Sequence, residues 1–266
     1  MEKINKKTLI IILVLAVLVI AGIVCLALFN SGGKKLTEDQ LNEVTTISEE
    51  YIFTLTEGYP TMYSGIDKLY ENDELTYDKL HQNVILNAAI KYASFNLENT
   101  ISTATLDKLK NTYKYDLNNY SVYDGNKVAE AVKLLFGKDL EIGTVENDNT
   151  YGYDFVYLPN ENVYLKTKGA AYFATDDSHS VKTKIIESTT KDNKVEIKVA
   201  VAYAHKFDNK LVFTSDKDAN NIVFESTLDN DAIQDEYIDK FDKYIITFNL
   251  DEENNNYAFE SVKKVK

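Results

Sequence analysis

Residues 8–29 form an uncharged, apolar run of 22 residues, TLIIILVLAVLVIAGIVCLALF, close to the start of a 266-residue chain. At a rise of about 1.5 Å per residue, a helix of this length spans roughly 33 Å, which matches the hydrocarbon core of a bilayer. We therefore predict a transmembrane helix over residues 8–29. This helix decides in which compartment the remaining residues fold.

Two other uses of an apolar amino-terminal segment fit the sequence less well. A secretory signal has an apolar core of about 7–15 residues followed by small residues, whereas this run is longer and ends in Leu28 and Phe29. Lipid attachment at Cys25 needs small residues before the cysteine, but Ile23 and Val24 precede it. The sequence favours a retained anchor in which Cys25 is an ordinary packing residue.

Basic residues flank both ends of the predicted span. Three precede it and two follow it: Lys3, Lys6, Lys7, Lys34 and Lys35. The positive-inside rule favours a cytoplasmic amino terminus. We expect residues 1–7 to form a cytoplasmic tail too short for a domain, which excludes a cytoplasmic output domain. The expected location is the cell membrane, with a single pass and an extracytoplasmic carboxy-terminal domain.

The composition narrows the classes of partner. The net charge is −13, and all 29 basic residues are lysines. An acidic surface repels polyanions, so we expect no nucleic acid partner. A chain without arginine also lacks the bidentate guanidinium clamp for phosphate. The single cysteine allows no intramolecular disulfide and no cysteine-based metal site.

Beyond the span, the chain divides by pattern into a linker (30–36), a helical region (37–120) and an α+β domain (121–266). A first helix begins at Thr37, since Gln40 completes a capping box. A long second helix is predicted over residues 76–97, with a broad apolar face. The segment STATLDKLKNTYKY predicts a shorter third helix.

The α+β domain opens with a helix capped by Asp124 or Asn126 and ended by Gly137 in a left-handed cap. The apolar period then changes to two, which indicates strands. One hairpin turns at Asp192 and Asn193, and a second covers residues 243–265. Helices followed by antiparallel strands predict the α+β class, with a helix packed across a curved sheet of four to six strands.

The strand KVEIKVAVAYAH has two different faces. One carries large apolar side chains, namely Val195, Ile197, Val199, Val201 and Tyr203, and the other carries Glu196, Lys198 and three alanines. We predict that the first face is buried. The alanine face leaves room for a helix or a neighbouring segment to pack against it.

The segments VAEAVKLLFGKDLEI, KTKIIESTTKDNKVEIKVAVAYAHKF and KYIITFNLDEENNNYAFESVKKV resemble a loose group of uncharacterised proteins. These are single-pass, membrane-anchored extracytoplasmic proteins of low-GC Gram-positive gut bacteria. The resemblance covers roughly residues 124–266. It implies an extracytoplasmic domain of cystatin-like or NTF2-like shape, and it brings no catalytic residues.

Histidines and one polar loop are the first candidates for chemistry. The three histidines, His81, His179 and His205, lack companions at a metal-ligand spacing such as HExxH. The loop TDDSHS holds Asp176, Asp177, Ser178 and His179. Neighbouring side chains in one turn rarely converge as a catalytic triad requires. Turn chemistry explains this loop better.

Three further segments resemble functional motifs only in part. Asp216, Asp218 and Asn220 occupy the first ligand positions of a calcium loop, but Asn221 replaces its glycine and Thr227 its glutamate. LDNDAIQDEYIDKFDKY reads as a solvated acidic face. The tyrosines of NTYKYDLNNYSVYDG serve either as an aromatic recognition surface or in core packing. No phosphate loop, dinucleotide turn or nucleophile elbow occurs.

We therefore predict no catalytic, cofactor-binding or metal-binding residue, and no cofactor. The leading hypothesis is a membrane-anchored, non-enzymatic module that binds a protein partner at the cell surface or a small ligand. One alternative is an extracytoplasmic hydrolase that uses a carboxylate pair. Another is a structural subunit of a membrane assembly.

Overall fold

The fold is known from a computed structural model that describes residues 35–53, 74–80, 82–140, 155–167, 179–216, 219–254 and 256–265. The predicted cytoplasmic tail (1–7) and transmembrane helix (8–29) lie outside these residues, as does most of the predicted linker (30–36). Within the described ranges, no helix is both long enough and apolar enough to cross a bilayer.

The described residues contain four α-helices and ten strands. The helices are α1 (Glu38–Ile47), α2 (Gln82–Asn96), α3 (Thr103–Asn111) and α4 (Gly125–Phe136). The first five strands are β1 (Glu74–Thr76), β2 (Tyr120–Asp124), β3 (Phe155–Leu158), β4 (Val163–Thr167) and β5 (His179–Lys191). The others are β6 (Lys194–Phe207), β7 (Lys210–Thr214), β8 (Ile222–Thr227), β9 (Asp242–Asp251) and β10 (Asn256–Val265). The sheets are antiparallel, which confirms the predicted α+β class.

Helix α1 begins where the capping box predicts. The Thr37 backbone N–H donates to Gln40 Oε1 at 2.9 Å, and the Gln40 N–H donates to Thr37 Oγ1 at 3.3 Å. These two bonds satisfy donors that a helix start leaves without partners. The helix continues into a π-helical turn, Ser48–Phe53, whose Tyr51, Ile52 and Phe53 are buried.

The long second helix starts later than predicted. It was expected from Thr76, but α2 begins at Gln82 and is preceded by a 3-10 turn, Tyr77–Lys79. The backbone of residues 74–76 is engaged in a sheet, because β1 pairs with residues 261–263 of β10. A backbone that donates to a neighbouring strand cannot make helical bonds at the same time. This pairing therefore limits the helix at its amino end.

The larger sheet is organised around β6. One edge of β6 pairs with β5 over residues 194–205. The other edge pairs first with β9, over residues 194–201, and then with β7, over residues 203–207. The described chain thus forms a seven-stranded sheet, larger than the four to six strands predicted. Register shifts at Ile185/Glu187 and Phe259/Ser261 mark bulges, which bend strands.

Both faces of β6 are covered. Its large apolar residues, Val195, Ile197, Val199, Val201 and Tyr203, join the main core together with residues of α1, α2 and α4. The alanines of the opposite face, Ala200, Ala202 and Ala204, join a second cluster with Phe213, Phe224, Ile233 and Phe241. In that cluster the Phe213 and Phe224 rings stack at 4.3 Å between centroids. The prediction that a neighbouring segment packs on the alanine face is confirmed.

The outer edge of β5 is bonded to the π-helical turn. The Glu49 side chain of that turn accepts hydrogen bonds from the Thr183 N–H, at 2.5 Å, and from Thr183 Oγ1, at 3.0 Å. Burial raises the pKa of Glu49, while the two hydrogen bonds from Thr183 oppose that rise. A half-buried carboxylate thus satisfies an edge N–H that has no strand partner.

The hairpins turn where the sequence indicates. Asp192 and Asn193 have φ angles of 50° and 59°, the left-handed geometry of a two-residue turn between β5 and β6. Strands β9 and β10 form the second predicted hairpin. A three-stranded sheet, β2-β4-β3, was not predicted. It packs on α3 through Leu109, Val163 and Leu165.

The predicted boundary between residues 120 and 121 falls at the first residue of β2. Helices from before it and strands from after it contribute to one main core. The division into a helical region and an α+β domain stays a prediction.

Helix α4 is capped at both ends as expected. The Asp124 side chain accepts from the Asn126 N–H at 2.7 Å, and Gly137 has a φ of 61° in a left-handed cap. Gly125 comes close to Asn162, since its N–H donates to the Asn162 carbonyl oxygen at 2.8 Å. Tyr157 Oη donates to Asn162 Oδ1 at 2.9 Å. Asn162 therefore joins β3 to the start of α4.

Gly125→Ala is expected to lower the free energy of unfolding by about 1–3 kcal/mol. A Cβ at this position would collide with the Asn162 side chain and lie 2.8 Å from its carbonyl oxygen. Urea unfolding of the full chain, followed by circular dichroism, measures the change. In an Asn162→Gly background the same substitution should cost less, because only the carbonyl contact remains. Equal costs in both backgrounds would contradict this contact.

Candidate functional site

A cavity of about 230 Å³ lies between α1, the π-helical turn, α2, the end of α4 and the start of β10. Its polar lining consists of Glu43, Thr46, Asn96 and Asn256. Its aromatic and aliphatic lining consists of Tyr51, Tyr92, Tyr257, Ile47, Leu134 and Leu135. Apolar walls with a few convergent polar groups are typical of small-ligand pockets.

The lining follows from helical spacing. Glu43, Thr46 and Ile47 stand at i, i+3 and i+4 on α1, so they share one face of that helix. Tyr92 and Asn96 stand at i and i+4 on α2 and face the same space. Other apolar residues of both helices belong to the main core, which also contains residues of the sheet. The cavity is therefore the place where the two helices and the end of α4 leave a gap.

Hydrogen bonds hold two walls in place. Asn256 Nδ2 donates to the Leu134 carbonyl oxygen at 2.8 Å, which satisfies a carbonyl in the last turn of α4. Asn96 Nδ2 donates to Tyr51 Oη at 3.1 Å and to the Tyr92 carbonyl oxygen at 3.0 Å. Tyr51 and Tyr92 have ring centroids 5.5 Å apart, with planes tilted by 52°.

The ionisable groups of the cavity are shifted toward their neutral forms. Burial raises the pKa of Glu43. Burial also raises the pKa of Tyr92 and of Tyr257, and the nearby Glu43 charge raises both further. The Tyr257 hydroxyl makes no hydrogen bond of ordinary geometry to the described residues, and the neighbouring Gln40 side chain partly opposes the rise in its pKa. Groups whose pKa values are shifted in a cavity are candidates for a functional site.

The chemistry that this lining supports is binding. A glycosidase-type hydrolysis needs two carboxyl groups roughly 5–10 Å apart on either side of the substrate. Among the described residues that line the cavity, Glu43 is the single carboxylate, and none is a lysine or a histidine. The aromatic rings and amides are recognition groups. The cavity thus has the composition of a recognition site with one negative charge.

The histidine whose side chain the structure describes, His205, does not line this cavity. His81 lies outside the described residues. His179 opens β5, where its backbone pairs in register with His205 of β6. The His205 ring is buried, and its Nε2 lies 3.0 Å from Thr214 Oγ1. No group of three or more metal-ligating side chains occurs within the described ranges.

The structure describes only part of the two polar loops that the sequence singled out. In TDDSHS, Asp176, Asp177 and Ser178 lie outside the described residues. In the calcium-like loop, the Asp216 carboxylate accepts from the Asn220 N–H at 3.1 Å and the Asn221 N–H at 2.7 Å. Asp216 therefore bonds to the backbone of its own turn. Asp218 also lies outside the described residues.

The acidic segment around residues 228–243 closes over the alanine face of β6. It contains a 3-10 turn, Asp235–Lys240, and it buries Ile233 and Phe241. Lys184 pairs with Asp235 at 2.9 Å, so the acidic residues of the segment meet the lysines of β5. These contacts are structural, and they agree with the prediction of a solvated acidic face.

The tyrosine-rich segment near residue 115 packs into the small third core. Tyr113, Tyr115 and Tyr120 surround Leu109 and Leu165. The Tyr115 and Tyr120 rings meet edge to face at 5.3 Å. Of the two predicted uses of these tyrosines, the structure shows core packing. The tyrosines of the cavity are Tyr51 of the π-helical turn, Tyr92 of α2 and Tyr257 of β10.

A buried polar contact links α2 to β4. Lys166 Nζ lies 3.2 Å from Asn87 Oδ1, and both side chains are buried. This contact joins the three-stranded sheet to α2.

No known family model, curated protein or solved structure matches this chain.

Glu43→Gln is expected to keep or raise the stability of the protein at pH 7. Because burial raises the pKa of Glu43 above its usual value of 4.5, the folded state favours the protonated form. Protonated Glu43 therefore contributes to the free energy of unfolding. This contribution is fully present below the usual pKa and is lost as the pH rises through the folded-state pKa. The substitution removes this loss, so its advantage should disappear near pH 4. Thermal unfolding of the full chain in non-ionic detergent at both pH values measures the effect.

Glu38→Gln is the matched control, since it removes the same charge from an exposed position on the same helix. It should show no gain at pH 7, because an acid in the first helical turn interacts favourably with the helix dipole. The measured quantity is the difference in stability between Glu43→Gln and the parent at each pH. If this difference favours the variant less at pH 7 than at pH 4, the assigned burial effect is refuted.

Proposed function

We propose that this chain is a membrane-anchored extracytoplasmic module that binds a small ligand in the cavity lined by Glu43, Tyr51, Tyr92 and Tyr257. The observation that carries the proposal is the cavity itself, with its single desolvated carboxylate among aromatic walls. The 22-residue apolar run supports the anchor. The net charge of −13 argues against a polyanionic ligand.

The alternative of a carboxylate-dependent hydrolase is less favoured by the same cavity. A second carboxylate within about 10 Å on its far wall would be needed, and the described lining supplies Leu134, Leu135 and Asn256 there. The side-chain amides of the lining do not titrate, so they cannot replace that carboxylate as a general acid. The tyrosines are weak acids at neutral pH, because burial raises the pKa of Tyr51 and of Tyr92.

A cystatin-like or NTF2-like shape is part of this proposal. Helix α4 lies against β10 of the antiparallel sheet, and the rings of Phe136 and Phe259 meet edge to face at 6.2 Å. The bulges in β5 and β10 support the curvature that such a shape needs. The resemblance of residues 124–266 to anchored proteins of gut bacteria also supports a cystatin-like or NTF2-like shape.

A protein partner at the cell surface is the second proposed interaction. Phe207 and Ile222 are 54% and 61% exposed, and both line a shallow cavity beside the β6–β7 turn. Neighbouring exposed apolar side chains are more frequent at contact surfaces than elsewhere. This patch lies on β6 and β8, apart from the residues that line the Glu43 cavity.

The proposed topology is tested by labelling single cysteines. In a Cys25→Ser background, Asn209→Cys places a thiol in the exposed β6–β7 turn, and Asn5→Cys places one in the predicted tail. A membrane-impermeant maleimide should label the first protein in intact cells. It should label the second only after permeabilisation, because the bilayer protects a cytoplasmic thiol. The reverse pattern would invert the topology, and recovery of the protein in the soluble fraction would refute the anchor.

Ligand binding is tested with a tryptophan reporter, because the chain contains no tryptophan. Thr46→Trp places the only indole at the exposed rim of the cavity. Ala104→Trp, on the exposed side of α3, is the control. The full chain in non-ionic detergent is titrated with tetramethylammonium, tert-butanol, N-acetylglucosamine and pivalate. At least one probe should change T46W emission saturably and leave A104W emission unchanged. If none does, the cavity is not a ligand site.

A further inference from the structure

We infer that the cavity takes an uncharged, hydroxyl-rich ligand of the size of one sugar ring, bound between the Tyr92 ring, Leu134 and the side-chain amides of Asn96 and Asn256. This inference rests on the proposed function and names the class of its ligand. It commits to the charge and to the hydrogen-bonding character of the ligand, which the size of the cavity alone does not fix.

The lining divides into a floor and a mouth. The buried side chains of the described lining form the floor: Ile47, Tyr51, Leu135 and Tyr257. The half-buried or exposed side chains form the mouth: Glu43, Thr46, Tyr92, Asn96, Leu134 and Asn256. The Tyr51 ring is left out of the proposed contact, since it is buried and the Lys91 ammonium lies 5.4 Å from its centroid. A ligand that enters from solvent meets the residues of the mouth.

The charges at the mouth are already balanced within the protein. Glu43, the one charged side chain of the described lining, has an interaction partner. Lys91, next to Tyr92 on α2, is paired with Glu50 at 2.6 Å. A cation would compete with these contacts, and an anion would meet the Glu43 carboxylate with no basic side chain in the described lining to balance it. An uncharged ligand avoids both costs.

The two amides at the mouth keep hydrogen-bonding capacity that the described residues do not use. Asn96 Nδ2 donates at 3.1 Å to Tyr51 Oη and at 3.0 Å to the Tyr92 carbonyl oxygen, so Asn96 Oδ1 is left as an acceptor. Asn256 Nδ2 donates to the Leu134 carbonyl oxygen at 2.8 Å, which leaves a second N–H and an acceptor. A hydroxyl group both donates and accepts, so it suits both amides. An apolar ligand would displace water from them without replacing its hydrogen bonds.

The apolar surface at the mouth suits the faces of a sugar ring. Such a ring carries C–H groups on its faces and hydroxyl groups at its edges, and a tyrosine likewise joins an apolar ring to a polar tip. Tyr92 of α2 and Leu134 of α4 supply apolar surface in the same lining as the two amides. The cavity, at about 230 Å³, has room for one such ring rather than for a chain of them.

The test compares four six-membered rings: N-acetylglucosamine, glucosamine, glucuronate and cyclohexanol. The first is uncharged and hydroxyl-rich, the next two are its cationic and anionic counterparts, and the last has a single hydroxyl. Binding to the full chain in non-ionic detergent at pH 7 is measured by saturation-transfer NMR, with protein-free micelles as the blank. N-acetylglucosamine should bind at least about tenfold more tightly than each of the others, since each lacks a hydrogen bond or adds a charge.

Two pairs of variants locate the binding. Asn96→Ala removes an acceptor and should weaken N-acetylglucosamine binding about fivefold or more. Asn111→Ala, which removes an equally exposed amide from the last residue of α3, should leave it unchanged. Tyr92→Phe keeps the ring and should bind within about threefold of the parent, whereas Tyr92→Leu should bind about tenfold more weakly. Urea unfolding of each variant shows that it is folded.

The outcomes distinguish the two proposals. If glucosamine, glucuronate or cyclohexanol binds as tightly as N-acetylglucosamine, the cavity is a ligand site but the uncharged, hydroxyl-rich class is wrong. The class is also wrong if N-acetylglucosamine binds Asn96→Ala and Tyr92→Leu as well as it binds the parent. If neither these probes nor those of the T46W titration bind, the ligand-binding function and the class are both overturned.

The linear trisaccharide of N-acetylglucosamine separates two sources of such a ring. Binding equal to that of the single sugar assigns a free sugar or the end of a glycan chain, and tighter binding assigns an internal residue of a chain. Either result supports the class, and failure of the trisaccharide to bind assigns the free sugar alone.

Discussion

The alternation of large and small side chains along β6 is the constraint on which the rest of the fold depends. Val195 and Ile197 face the helices, and Ala202 and Ala204 face the second cluster. Because β6 pairs with three other strands and is covered on both faces, a change in its register would exchange the two cores. The helices lie on the valine side, and the cavity forms where they meet β10.

The parts of the fold that local patterns determine were predicted well. Thr37 and Gln40 mark a helix start because they form a capping box, and Gly137 marks a helix end because it adopts a left-handed φ angle. Such features involve residues three or four apart. The late start of α2 depends instead on Leu75, which pairs with Val262 almost two hundred residues away. Pairings of that length leave no local pattern in a single sequence.

The site was missed for a related reason. Tyr51 and Tyr92 lie on apolar faces, where a tyrosine is most simply read as core. Glu43, three residues from Gln40, carries no pattern of its own. Only the packing of α1, α2 and α4 brings these side chains to one cavity. In contrast, the predicted absence of a local catalytic motif required no knowledge of packing, and it stays a prediction.

The contact of Glu49 with Thr183 has a consequence for how copies of the chain meet one another. An open strand edge can recruit the edge of a neighbouring chain. Here one edge of the sheet is bonded to a half-buried carboxylate, and another ends in β1, which has only three residues. The bond at Thr183 interrupts one of these edges, and the shortness of β1 limits the other. On a crowded surface, joining of two copies through β1 or through the bonded part of β5 would therefore be disfavoured.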